Sequence, residues 1–309
     1  MALRIDENHQ AYSVHFAHGE GVDDCDLIAH RTPADGSHWS EFESWVFARR
    51  GGEASAPMLG QRELYKMLWR ASDGASFVAS MGGEVALRRA DGEAWERHRL
   101  PALLRGVWGL HARCVFVWGK HFDRGERLFR WDGERWEESA SPGGVVRMGG
   151  LREDDVWLVG QGGLVAHGAP DRWHALDAPT RATLSAIALR DDGTVVICSH
   201  HGEVLDGSEH GVLLRARFGG GLLDAAAFGG ALWFAAGDNG LLRLTPGASA
   251  LEPVASPGGA SSLYAATERL LVSGGSLLYD TTDGVDFRVR PIDFVLDALS
   301  EQPRLVRSG

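Results

Sequence analysis

Polar and apolar positions along this chain come in blocks rather than in helical turns. A polar turn leads into a short apolar run, a glycine-bearing turn follows, a second apolar run returns, and another polar turn ends at an aromatic. DVWLVGQGGLVAHGAPDRW, ending at Trp173, is the cleanest copy. CVFVWGKHFDRGERLFRWDGERW, ending at Trp136, and FVASMGGEVALRRADGEAW, ending at Trp95, share its outline. Short apolar runs bounded by Gly, Asn and Asp read as β-strands, and Asp-Gly between two of them is a strong hairpin signal. Residues 153–155 therefore feed a strand and residues 161–163 turn it back. Asp192-Gly193 and His201-Gly202 repeat those two turns, while Asp91-Gly92, Asp132-Gly133 and Asp283-Gly284 fill the later one. Only residues 292–300 resemble a helix, and they are too short to stand alone. They could equally form a closing strand.

The unit recurs. Anchors at the start of each unit's last strand fall at Trp39, Trp95, Trp136, Trp173, Val212, Leu251 and Phe287, at intervals of 56, 41, 37, 39, 39 and 36 residues. Short strands repeating at about 40 residues predict a β-propeller. The expected fold is all-β: a single domain over residues 1–309 with seven four-stranded blades. Each terminal Trp is expected to pack on the outer strand and cover the face of the neighbouring blade.

Two stretches depart from the period. The long first interval marks residues 43–64, ESWVFARRGGEASAPMLGQREL, as an inserted loop, with an extra strand near the ring closure as the alternative. Trp45, Arg49 and Arg50 in it combine an aromatic with fork-shaped donors, residue types enriched where proteins bind one another. KHFDRGER, residues 120–127, lengthens an inner hairpin and puts His121, Asp123 and Arg124 at its tip, as binding groups or simply as solvated charge.

DVWLVG, then G-x-L, then D-x-W, with VWG at residues 107–109 and 117–119, resembles the degenerate VWAVG repeats of bacterial propellers. These are related to the BNR (Asp-box) and photosystem-assembly-factor type. The resemblance covers residues 65–290 and is best in the units ending at Trp95, Trp136 and Trp173. It implies a propeller and leaves the activity open, because such folds host hydrolases, lectins, scaffolds and assembly factors. An Asp box has the form S-x-D-x-G-x-x-W, and TPADGSHW and TTDGVDF both miss its spacing. No arginine-bearing segment like that of sialidases stands near the N-terminus.

Composition narrows the function. A net charge of −11 and a pI near 5.6 argue against nucleic acid; the acidic balance suits a basic protein partner or, more simply, serves solubility alone. Cys25, Cys114 and Cys198 have neither disulfide nor zinc spacing. His15, His18 and His30 with Asp23, Asp24 and Asp26 are the densest ligand-type cluster, without the spacing of a known metal loop. No cofactor, metal or catalytic motif is expected, and no apolar run is long enough for a membrane helix. The N-terminus lacks the pattern of a signal peptide, so a cytoplasmic monomer is expected. The leading expectation is a non-catalytic protein-binding propeller, in its sharper form an immunity-type protein that neutralises a basic toxin. The alternatives are a carbohydrate-binding propeller and a hydrolase or lyase working in the central channel.

Overall fold

The apolar runs are the second strands of stacked sheets. Ser76–Ser80, Val195–Ser199 and Leu270–Gly274 are buried at every position, because neighbouring sheets cover both faces. Fourth strands such as Glu96–Arg99 and Arg288–Pro291 are largely exposed. Burial peaks at the second strand and is lowest at the fourth, and the sequence unit records it as an apolar core followed by a polar strand held by one aromatic. The computed structural model describes residues 4–5, 10–33, 43–55, 57–61, 64–90, 92, 94–170, 172–190 and 192–300.

Seven antiparallel blades stand in a ring, formed by residues 10–61, 65–99, 102–140, 145–176, 184–217, 224–254 and 262–291. The chain order of strands in each blade runs from the axis outwards. The innermost strands are Gln10–Gly21, Tyr65–Arg70, Ala102–His111, Val145–Arg152, Leu184–Leu189, Asp224–Phe228 and Ser262–Ala265. Each packs on the next, and the last packs on the first. The upper end of the ring carries the turns between second and third strands and the links between blades. The lower end carries the other turns.

Six anchors fall at the fourth strands. Trp95 precedes Glu96–Arg99, Trp136 opens Trp136–Ala140, and Trp173 lies in Arg172–Leu176. Val212 lies in Gly211–Arg217, Leu251 precedes Glu252–Val254, and Phe287 precedes Arg288–Pro291. The tryptophans pack as expected: Trp95 against a cluster shared by blades 1 and 2, and Trp136 and Trp173 against one spanning blades 2 to 4. Trp39, Asp91 and Asp171 lie outside the described residues.

The first blade corrects the expected insertion. Within 43–64, Glu43–Arg50, Glu53–Ala54 and Leu59–Gln61 are strands of the blade rather than parts of a projecting loop. Glu43–Arg50 is the third strand, pairing residue by residue with the second from Glu43↔Arg31 to Arg49↔Cys25. Glu53–Ala54 and Leu59–Gln61 both pair with it and together form a broken fourth strand. The apolar run Val46–Phe47–Ala48 is buried in the sheet, which a solvated loop could not achieve. The first interval is long because Trp39 precedes a third strand rather than a fourth. A short strand, Arg4–Ile5, lies on the free edge of Gln10–Gly21.

Every blade is one contiguous stretch of chain, so blades 1 and 7 share no sheet. Their seam is held by other means. The Val14 N–H donates to Gly275 O at 2.8 Å, and Ser273 Oγ donates to His15 O at 3.1 Å. Asp280 is fully buried, accepts the Val22 N–H at 2.7 Å and pairs with Arg288 at 2.6 Å. Residues 292–300 are resolved in favour of a helix, Asp293–Ser300, whose Val295 is buried with Ile292 against Tyr12, Val14 and Phe47. Asp26 plays the matching role between blades 1 and 2, accepting from Ser76 Oγ at 2.5 Å and from Arg88 at 3.0 Å.

The glycine of the second turn recurs for a steric reason. At Gly163, with φ +76°, a Cβ would stand 2.1 Å from Thr180 O in the link to the next blade; at Gly202, with φ +83°, it would stand 2.2 Å from Phe218 O. The left-handed backbone and the close approach both exclude a side chain.

Candidate functional site

The two sequence-predicted groups lie on different blades. Arg49 and Arg50 are at the lower end of blade 1 and His121, Asp123 and Arg124 at the upper end of blade 3. Arg49 is 4% exposed: its Nε donates to Val22 O at 2.8 Å, and its guanidinium lies 4.4 Å from the Phe294 ring. Arg50 is committed to Asp26 at 2.6 Å and to Cys25 O at 3.0 Å. Trp45 lies against Gly60, where a Cβ would come within 2.6 Å of its ring. These three side chains are engaged in holding blade 1 together. His121 is also buried, and its Nδ1 accepts the Asp123 N–H at 3.0 Å, shaping the hairpin tip. Asp123 and Arg124 are exposed, with Arg124 reaching Glu138 at 3.2 Å.

That tip belongs to an apolar rim that sequence reasoning did not single out. Phe122 is 60% exposed, Leu103 46% and Met81 40%. The three are held close by the backbone. The Phe122 N–H donates to Pro101 O at 3.1 Å, Leu103 is paired with Lys120, and a Cβ at Gly83 would stand 2.7 Å from Ala102 O. Phe122 and Leu103 were visible as apolar residues, but their exposure depends on where the strands end.

The axis holds a second polar constellation. Arg147, on the innermost strand of blade 4, places its guanidinium 5.6 Å from the Phe16 ring of blade 1 and Nη1 3.3 Å from Met67 Sδ of blade 2. Blade 4 adjoins blades 3 and 5, so the side chain reaches these partners only by crossing the axis. His18, one strand pitch from Phe16 on the same face, lies 4.3 Å from the Tyr264 ring. Burial, with Arg147 and Arg70 nearby, brings His18 down to about 3 against the pull of Asp26. His30 donates Nε2–H to Tyr65 O at 3.0 Å and its ring lies tilted against that of His15 at 4.3 Å. Burial lowers them to about 3 and about 4 respectively.

Ser13 and His15 share a 2.9 Å hydrogen bond, yet a base held near 4 is poorly matched to neutral-pH proton transfer. No carboxylate stands behind it among the described residues. All three cysteines are buried, with thiols pushed up to about 11 or 12 chiefly by desolvation, which leaves them inert as nucleophiles. No group of three or more metal-ligating side chains converges among the described residues. The aspartates near these histidines are taken by arginines.

A cavity of about 630 Å³ opens at the lower end between blades 5, 6 and 7, lined among others by Arg190, Arg215, Phe228 and Thr267. Both arginines already pair with Asp206. No described helix is long and apolar enough to cross a membrane.

No family model matches the chain, and no curated protein matches it. Solved structures do. YCF48 bound to D1 peptide superposes with a TM-score of 0.60 at 13% identity, covering 75% of this chain and 82% of that one. YCF48 from Cyanidioschyzon merolae gives 0.57 at 15%, covering 74% and 85%. The computationally designed Ika8 protein gives 0.59 at 10%, covering 90% and 86%. At these identities the likeness is one of fold: this chain is a seven-bladed β-propeller.

Proposed function

We propose that this chain is a non-catalytic, protein-binding propeller that docks its partner on the upper rim of blades 2 and 3. The observation that carries this reading is the gathering of Met81, Leu103 and Phe122, three of the exposed large apolar residues, beside Lys120, Asp123 and Arg124. An apolar centre fringed by charge is the anatomy of a protein interface. The YCF48 structure with its D1 peptide supports the idea that a propeller of this shape can hold a polypeptide. A carbohydrate platform has less support, since no tryptophan among the described residues is exposed.

In its finer form the partner is a basic protein such as a toxin, drawn by the net charge of −11 and met in the cytoplasm by a monomer. The repeat is then a divergent VWAVG/BNR-like one. The test compares wild type with the Leu103→Ser/Phe122→Ser double variant as bait in native lysate. A stoichiometric companion on wild type, reduced at least about tenfold on a variant of unchanged Tm, is expected, since interface anchors contribute about 2 kcal/mol or more. Equal capture by both baits, or a wild type that purifies alone, counts against the reading.

A further inference from the structure

Arg147 differs from the other enclosed arginines of this chain. Arg70, Arg88, Arg190 and Arg215 each meet a carboxylate within 4 Å. The partners of Arg147 are the Met67 sulfur, a weak acceptor, and its own chain's Val146 O at 3.5 Å. No carboxylate lies within salt-bridge distance of it among the described residues. A partly enclosed charge without a counter-charge is costly to keep. It is also what an anion-binding site requires before its ligand arrives.

The surroundings reinforce the sign. His15, His18 and His30 are neutral at pH 7 and contribute no competing acid. Asp224, the half-buried carboxyl of blade 6 that feels the Arg147 charge, has its oxygens committed. They accept the Leu263 N–H at 2.9 Å and the Ala225 N–H at 3.0 Å, and burial pushes the group towards its neutral form. Lys66 stands exposed at the upper end of the neighbouring strand and adds positive potential that both His15 and His30 feel. Arg147, Phe16, His15, His18 and Tyr264 are all only partly buried.

We propose that the axial channel binds a small free oxyanion, a phosphate or a carboxylate, on the Arg147 guanidinium. The planar fork matches two oxygens of such a group, and the Phe16 ring lies 5.6 Å from its central carbon. This site is independent of the upper-rim docking surface and stands or falls separately from it.

Titration calorimetry with inorganic phosphate and with succinate, in low-salt Tris chloride, tests it. Saturable one-site binding of at least one probe is expected, weakened about tenfold or more by Arg147→Met, with Arg147→Lys in between. The tighter probe identifies the class of oxyanion. Wild-type crystals soaked in selenate give a reading that does not depend on the variants folding: an anomalous peak at hydrogen-bonding distance from the Arg147 guanidinium is expected. No saturable heat from either probe, equal affinity in a folded Arg147→Met protein, or selenate found only elsewhere overturns the proposal.

Discussion

Gly162 and Gly163 stand side by side in one turn and carry different constraints. Both have left-handed backbones, at φ +66° and +76°, but a Cβ at Gly162 meets nothing within 4 Å, whereas at Gly163 it collides with Thr180 O. Gly162→Ala should therefore cost about 1 kcal/mol from backbone strain alone, and Gly163→Ala about 3 kcal/mol or more, because the link between blades must also shift. Urea unfolding of the two variants checks this, and equal losses would contradict it. The same contrast between local and tertiary information explains what the sequence left hidden. A glycine before an apolar strand is visible in one dimension, but the carbonyl that requires it is seventeen residues away. Arg49 shows the same: in sequence an arginine beside an aromatic looks like a free donor, and only the fold places Val22 O and the Phe294 ring against it.

Elements were more legible than their roles. Fourth strands betray themselves by a single aromatic or apolar residue after a polar turn, and the rule holds even where Val212 or Leu251 replaces Trp. It misleads in blade 1, whose outer strand is broken into two short pieces. The helix Asp293–Ser300 was undecidable from its short apolar pattern; burial of Ile292 and Val295 on the seam settles its form. The seam also separates two acids that look alike in sequence. Asp280 is buried and accepts from backbone and arginine, while Asp23 meets Arg288 and Arg290 in partial contact with solvent. Asp280→Ala should destabilise by about 3 kcal/mol, because it orphans the buried Val22 N–H and takes from Arg269 and Arg288 the buried carboxylate they share, leaving Arg288 only Asp23. Asp23→Ala should cost under about 1 kcal/mol. Denaturant midpoints with unchanged m-values decide it.

For the molecule as a whole, the histidines of blade 1 set the response to acid. His15, His18 and His30 titrate near 3 to 4 when folded and near 6.5 when unfolded, so between those values the unfolded chain binds more protons. Stability is then complete above pH 6.5 and falls as the pH drops towards 4, by about 1–2 kcal/mol per histidine at pH 5. Asp224, whose carboxyl is raised, acts in the opposite direction, but it is one group against three. Thermal melts should show a lower Tm at about pH 5 than at about pH 7.5, with the difference reduced in His18→Gln. A flat profile would show that these rings are not held neutral. Because each blade is a contiguous stretch of chain and the ring shuts without a shared strand, topology gives no joint priority over the others. Chain ends moved to the link between blades 3 and 4, with the present ends spliced, would leave all seven sheets uncut. Such a permutant should assemble the same ring, and whole units could be gained or lost in evolution without severing a sheet.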